Sequence, residues 1–195
     1  MAAAVLSLTN QDQFSGGGGV IEQMIQAATL RMHQSDFYVR DLAEATINLG
    51  SSGFAFSFSA PVTFARYRAL HYLRYYDNAA AEAGKVYGHL DPLNLMDSYG
   101  LEKNDVWYVA GNTIVLRSSL AVQYLLAGWY QNPVITPFAS LASWIADTVP
   151  HAIVFDACSL IFQMIAQQEQ SRKFDGLVTE QLNMVKQHGV TGRGY

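Results

Sequence analysis

Residues 105–119, DVWYVAGNTIVLRSS, constrain the fold more tightly than any other stretch of the chain. Bulky, β-branched and aromatic residues stand on both sides of Gly111 and Asn112. Because Gly and Asn tolerate the positive φ angles of a two-residue turn, this pattern predicts a β-hairpin. The chain must therefore build a sheet from its middle, although both of its ends have helical periodicity.

Further strand signals surround the hairpin. Residues 45–59, ATINLGSSGFAFSFS, alternate on both sides of a Gly/Ser cluster, which predicts two short strands. Residues 64–77, FARYRALHYLRYYD, favour a strand by composition, although their leucines would also suit a helix. Residues 90–100 predict a short helix after Asp-Pro, and residues 120–130 predict another strand beside the hairpin.

The two ends of the chain favour helices. Apolar residues recur at helical spacing over residues 20–33, and two amphipathic stretches follow Pro150. We therefore predict an α+β fold, in which the N- and C-terminal helices form a helical bundle with an inserted antiparallel β-rich lobe.

The predicted domain organisation follows from these patterns and from SGGGG, a linker-like run that ends at residue 19. A flexible N-terminal arm is expected over residues 1–19 and a tail over residues 189–195. Between them we predict a single domain, residues 20–188. Its helical core would be residues 20–35 and 148–188, and its β-rich insertion residues 37–135.

Composition limits the classes of partner. Half of the 195 residues are hydrophobic, only 14% are charged, and the net charge is −4. Such a chain suits either an oligomer with aromatic interfaces or an aromatic-rich core, and both remain open. The acidic balance argues against a dedicated nucleic-acid clamp. The apolar window near residues 153–166 is interrupted by Asp156 and too short for a membrane span, so we expect no membrane contact.

No stretch of the sequence has a catalytic or metal-binding signature. The histidines have no metal-ligand spacing from one another or from Cys158, the one cysteine. We therefore expect no enzyme activity, no catalytic residue, no metal and no cofactor. An enzyme that uses Cys158 with His151 is a third alternative, set against a buried structural thiol, and a Cys158→Ser variant with no loss of any activity would remove it.

Arginine and tyrosine alternate in the stretch near residues 66–76. Arg and Tyr are frequent hot-spot residues of protein interfaces, and they also stack on single-stranded bases. An interface, a nucleic-acid contact and a plain surface strand all remain open for this stretch. The residues concerned are Arg66, Tyr67, Arg68, Tyr72, Arg74, Tyr75 and Tyr76.

The order of these segments resembles the head-to-tail adaptor (connector or neck) proteins of tailed bacteriophages. The resemblance covers residues 20–188, and its most telling pieces are RYRALHYLRYYD, LDPLNLMDSYG, VWYVAGNTIVLRSS and VQYLLAGWYQNP. The positions that match the family's hairpin and following turn are Tyr108, Gly111, Ile114, Leu116, Arg117, Trp129, Tyr130 and Pro133. Trp144 and Pro150, which precede an Ala- and Ile-rich helical pattern, also resemble the C-terminal part of the family's sequences.

The resemblance implies a structural virion protein of the neck, made in the host cytoplasm. It implies a homo-oligomeric ring, usually of twelve copies, seated between the portal and the tail. The expected partners are the portal protein and a tail tube, nozzle or tail-fibre protein. Double-stranded DNA would pass through the ring during ejection without sequence-specific binding.

Two sets of residues are candidates for contacts in such a ring. The portal or neighbour-subunit set is Arg193, Tyr195, Arg66, Arg68, Arg74, Tyr75 and Tyr76. The tail or subunit set of the β lobe is Trp107, Tyr108, Trp129 and Tyr130, with core positions as the alternative for the two tryptophans. The alternative function is a small-ligand or carbohydrate-binding module that uses aromatic residues of the β lobe.

Overall fold

The computed structural model describes residues 1–9, 18–77, 79–80, 82–94 and 103–190. The chain divides into two compact units. Residues 1–41 and 132–195 form the first, here the helical unit, and Leu42–Gln131 form the second, here the β unit.

The described residues contain six α-helices and five strands. The helices are α1 (Ala2–Thr9), α2 (Gly18–Gln34), α3 (Ala60–Thr63), α4 (Trp144–Thr148), α5 (Pro150–Met164) and α6 (Gln168–Val190). The strands are β1 (Leu42–Ser59), β2 (Tyr67–Asp77), β3 (Glu82–His89), β4 (Val106–Ala110) and β5 (Thr113–Gln131). Short 3-10 segments lie at Val39–Asp41, Pro92–Asn94 and Phe138–Ser140.

Helix α5 lies at the centre of the helical unit. It contacts α1, α2, α4 and α6, and Ile153, Ala157 and Ile161 are fully buried. Ile21 and Ile25 of α2 contribute to the same core at helical spacing, as the periodicity of residues 20–33 predicts. The unit therefore depends on one helix that is apolar around most of its circumference.

The first helix lies within residues 1–19, which the sequence predicts to be a flexible arm. Val5 of α1 is fully buried in the core of the helical unit, and the Thr9 hydroxyl donates to the Val5 carbonyl at 2.9 Å. Residues 2–9 are thus packed and are not a free arm. Residues 10–17 lie outside the described residues.

The β unit is one five-stranded sheet in the order β1-β5-β2-β3-β4, and β4 also pairs with β5. This second pairing closes β5, β2, β3 and β4 into a four-strand barrel. The pairing of β3 with β4 is parallel, with Gly88 opposite Val106. Leu73, Leu116 and Leu125 are fully buried among the core residues of this unit.

The predicted helical bundle with an inserted antiparallel β-rich lobe is wrong. The fold is α+β around a closed four-strand barrel, and its sheet is mixed because β3 and β4 run parallel. The sequence pattern does not reveal the closure of the barrel, because closure depends on the length of β5. The first half of that strand pairs with β4, and its second half pairs with β2.

The strand boundaries also differ from the predicted ones. The two strands predicted in residues 45–59 are one strand, β1, whose register shifts between Asn48 and Ala55. Gly50, at a φ of 81°, lies within this irregularity. Residues 120–130 likewise continue β5 and do not form another strand. The two halves of β1 form one continuous strand because both pair with the long strand β5.

The hairpin itself is confirmed. Ala110 pairs with Thr113 across Gly111 and Asn112, and Gly111 has a φ of 62°. Within the helix predicted over residues 90–100, Pro92–Asn94 form a 3-10 turn. Residues 95–102 lie outside the described residues.

The same substitution at two glycines should have opposite effects on stability. Gly111→Ala should lower the free energy of unfolding by about 1–2 kcal/mol, because a Cβ is disfavoured at positive φ. Gly176→Ala in α6 should raise it by about 0.5–1 kcal/mol, because no atom of the described residues lies within 4 Å of the added methyl and Ala is the better helix former. Urea denaturation of the two variants measures both signs, and two changes of the same sign would contradict this reasoning.

Candidate functional site

The outward side of β1, β5 and β2 carries a set of tyrosines with one arginine. Leu125, Ala127 and Trp129 of β5 belong to the core, so alternate residues of this strand point to the opposite face. In register across the three strands, Leu126 lies between Thr46 and Arg74. We call this surface the aromatic face, and its residues are Tyr72, Arg74, Tyr124, Leu126 and Tyr130.

Tyr72 is held across the middle of the aromatic face. Its ring covers Gly128, where an added Cβ would clash with the ring carbons. The Tyr72 hydroxyl donates to the carboxylate of Glu44 on β1, so the side chain reaches over β5 to the next strand. Position 128 therefore requires glycine, because the Tyr72 ring lies too close to the backbone for a side chain.

Arg74 places a positive charge on this face. It is half-buried, and its Nε atom is buried with no hydrogen-bond partner among the described residues. A buried donor without a partner is costly, and the cost is recovered when an acceptor reaches it. Arg74 is consequently suited to meet an acceptor from another molecule.

A groove of about 380 Å³ lies beside the aromatic face. Asp77 is fixed at its margin, because its Oδ1 atom accepts from the backbone nitrogens of Ala79 at 2.9 Å and Ala80 at 3.3 Å. The side chains that line the groove combine aromatic rings with polar groups: Ser52, Tyr75, Tyr76, Asp77, Gln123 and Tyr124. This lining suits a small polar ligand that stacks on a ring.

The predicted portal or neighbour-subunit residues do not form one cluster. Arg74 lies on the aromatic face, whereas Tyr75 and Tyr76 line the groove. Arg66 is exposed and donates to Gln131 Oε1 at 2.6 Å, and Arg68 is half-buried. Arg193 and Tyr195 lie outside the described residues.

Two of the four predicted tail-contact residues, Trp107 and Trp129, lie in the core of the β unit. Trp107 packs against His89, with ring centroids 4.4 Å apart, and is only 4% exposed. Trp129 is 6% exposed and donates through Nε1 to the Ala65 carbonyl at 3.0 Å. The two tryptophans therefore stabilise the β unit. Tyr130 is also buried, and Tyr108 is half-buried.

A buried polar cluster that the sequence analysis missed lies in the helical unit. His33 Nδ1 lies 2.8 Å from Asp41 Oδ1, and His33 Nε2 lies 2.8 Å from Ser143 Oγ. This connectivity is that of a serine hydrolase triad. Here all three side chains are buried, and Ser143 Oγ also caps α4 by accepting from the Ala146 nitrogen at 3.2 Å. The cluster therefore joins α2 to α4, and it left no sequence signal because His33 and Ser143 are 110 residues apart.

Burial determines the chemistry of two groups on α5. The carboxylate of Asp156 is fully buried, with Arg31 Nη2 at 3.0 Å as its ion-pair partner. Burial, with a smaller effect of the nearby Asp175 charge, raises the pKa of Asp156 to about 6, although Arg31 acts to lower it. Burial also raises the pKa of the Cys158 thiol to about 12, which disfavours the thiolate that a nucleophile requires.

The part of the chain that the structure describes contains neither a cluster of metal ligands nor a helix that could span a membrane. Its His, Cys, Asp and Glu residues do not converge in any group of three that could hold a metal ion. Among the helices in this part, none has both the length and the apolar character needed to cross a membrane.

No protein-family model matches the chain, and no curated protein has significant sequence similarity to it.

Asp156→Asn should change how stability depends on pH. The folded carboxyl keeps its proton up to about pH 6, whereas the unfolded one loses it near 3.8, so wild-type stability should fall as pH rises between these values. A difference of about two pH units corresponds to about 3 kcal/mol at most. The variant should lack this fall and should be more stable than wild type at pH 7.

Urea denaturation between pH 4 and pH 8 tests this expectation. Asp147→Asn is the matched control, because Asp147 is exposed on α4 and its removal should leave the pH profile parallel to that of wild type. Parallel profiles for Asp156→Asn and wild type would rule out the proposed cost of burying the carboxylate.

The contact of Tyr72 with Gly128 should appear as a coupling between two substitutions. Gly128→Ala should destabilise the wild type by about 1–3 kcal/mol, because the ring must move. In a Tyr72→Ala background the same substitution should be neutral or slightly stabilising, so the coupling should exceed about 1 kcal/mol. Tyr124→Ala with Gly128→Ala is the control pair and should be additive, and additivity in both pairs would refute the contact.

Proposed function

We propose that this chain is a head-to-tail adaptor, a structural virion protein whose copies form a ring between the portal and the tail. The observation that carries the proposal is the aromatic face, a rigid three-stranded surface with half-buried Tyr72 and Tyr124 around Arg74. Tyrosine and arginine dominate the binding energy of protein interfaces, and strands hold them in fixed positions. The Nε of Arg74, which has no hydrogen-bond partner among the described residues, is a donor that an interface acceptor would satisfy.

The charge of the chain suits the same role. A ring that DNA crosses during ejection must let the duplex slide, and a dense cluster of Lys and Arg would hold it instead. With 12 basic and 16 acidic residues, the chain has a net charge of −4. The proposed partners are therefore proteins: neighbouring copies, the portal, and a tail tube, nozzle or tail-fibre protein.

The order of the secondary-structure elements along the chain also supports the proposal. The hairpin of β4 and β5 contains the positions that resemble the adaptor family, including Tyr108, Gly111 and Arg117. Helix α5, which begins at Pro150, follows the β unit as the resemblance implies. On this basis we propose a ring of twelve copies in the virion neck.

A small-ligand or carbohydrate-binding module is the second candidate. It is favoured by the groove, where Tyr75, Tyr76 and Tyr124 lie beside the fixed carboxylate of Asp77. Tyrosine rings stack on the apolar faces of sugars, while carboxylate and amide groups bind their hydroxyls.

Light scattering and negative-stain microscopy of the protein, alone and mixed with the portal protein encoded nearest to it, test the adaptor proposal. We expect a ring that caps the portal. Arg74→Glu should weaken this assembly by about tenfold or more, because it replaces a positive charge in the interface with a negative one. Arg172→Glu, the same change at an exposed position of α6, should leave it intact.

A monomer that also ignores the portal would overturn the adaptor proposal. If that monomer bound monosaccharides in a calorimetric titration, and Tyr76→Ala abolished the binding, the ligand-binding module would replace it.

A further inference from the structure

The groove beside the aromatic face lies where three strands of the β unit separate. The pairing of β2 with β5 ends at Tyr75 and Leu125, and the pairing of β1 with β5 becomes irregular after Asn48. Residues of all three strands line the groove, and its volume of about 380 Å³ falls within the range of small-molecule sites, roughly 300–1,000 Å³. The groove therefore arises from the divergence of strands within one unit of one copy.

Tyrosines dominate the lining of this groove. Of the eight described residues that line it, three are tyrosines: Tyr75 and Tyr76 at the end of β2 and Tyr124 on β5. All three are half-buried. The face of a tyrosine ring carries partial negative charge and attracts a cation. No lysine or arginine is found among the described lining residues, and Asp77 is the one charged residue there.

A second carboxylate lies directly opposite Asp77. In the pairing of β2 with β3, Asp77 is opposite Glu82, and directly opposed residues have Cβ atoms about 5 Å apart. Like charges in such a position destabilise a strand pair. Among the described residues, no Lys, Arg or His forms an ion pair with either carboxylate. A cation bound beside the two carboxylates would convert their repulsion into attraction.

The basic residues of the adjoining strands do not supply this cation. Lys85 Nζ lies 2.7 Å from Asp105 Oδ2, and Arg74 lies in the register row of Leu126, before the groove begins. A cation that neutralises the pair would therefore come from outside the described residues. The two carboxylates also separate this site from one for a neutral sugar, which has hydroxyl groups but no charge to offer them.

We propose that the groove binds an organic ammonium group, such as the trimethylammonium of choline, with its charge beside Asp77 and Glu82 and its methyl groups against Tyr76 and Tyr124. A methylated ammonium suits such a site because it is a cation whose methyl groups pack against aromatic rings. The inference goes beyond the proposed function and does not depend on it, because the groove is complete within one copy.

Calorimetric titration of the wild-type protein tests the proposal with two matched ligands. One is choline, and the other is its uncharged isostere, in which carbon replaces the nitrogen. Choline should bind at least about tenfold more tightly, because the two ligands differ only in charge. Equal affinities, or no binding of choline at millimolar concentration, would overturn the proposal. Binding of a monosaccharide in place of choline would overturn it as well and assign the groove to the second candidate function.

Variants of the lining identify the groove as the binding site. Asp77→Asn removes the charge but keeps an Oδ1 atom that can accept from the Ala79 and Ala80 nitrogens, so the local turn is preserved. It should weaken choline binding by about tenfold and leave binding of the isostere unchanged. Asp147→Asn, which removes an exposed carboxylate from α4, is the control and should bind choline as wild type does. Equal affinities of these two variants for choline would contradict the proposed site.

Two substitutions of Tyr76 separate the ring from its hydroxyl. Tyr76→Phe keeps an aromatic face and should bind choline within about twofold of wild type, whereas Tyr76→Leu should lose about tenfold. Equal affinities of the Phe and Leu variants would refute the role of the ring. Circular dichroism checks that each variant is folded.

Phosphatidylcholine vesicles distinguish the two sources of a choline group. Sedimentation of the protein with these vesicles, lost in Asp77→Asn, would assign the groove to a lipid headgroup, and choline binding without sedimentation would assign it to a free amine. Either result upholds the proposal. A protein that binds choline but ignores the portal overturns the adaptor function alone, and one that caps the portal but does not bind choline overturns this inference alone.

Discussion

The pairing of β5 with three other strands is the constraint on which the β unit depends. One side of this 19-residue strand is occupied by β1 along both of its halves, and the other side is shared between β4 and β2. A strand that serves two neighbours in succession must bend away from a flat sheet, and the bend brings β3 and β4 together. Closure and the parallel pairing at Gly88 and Val106 follow from this one strand.

Closure decides which aromatic residues are inside. The barrel encloses Trp107, and Trp129 is buried with it in the same core, so the largest rings stabilise the unit. The outward side of the same strands carries Tyr72, Tyr124 and Arg74, amphipathic side chains that tolerate partial exposure. The surface proposed for assembly is therefore a consequence of how the core is filled. A rigid sheet holds these side chains in place at little further entropic cost.

The helical unit uses buried polar groups in two different ways. His33 has hydrogen-bond partners on both ring nitrogens, Asp41 and Ser143, so the cluster ties α2 to α4. Asp156 is buried beside Arg31, and the raised pKa of its carboxyl reports that burial penalises its charge. The His33 cluster makes the packing specific, whereas the buried carboxylate of Asp156 reduces stability at neutral pH.

The sequence alone determined the local elements. Gly111 set the hairpin, because few other residues accept its positive φ angle, and the apolar spacing from Ile21 to Met32 set the second helix. Local patterns could also mark Arg74 and Tyr76 as surface candidates. Only the tertiary structure decided that residues 45–59 are one strand, that the sheet closes, and that His33 meets Ser143. Each of these depends on contacts between residues far apart in the chain, and periodicity and turn chemistry report only on near neighbours.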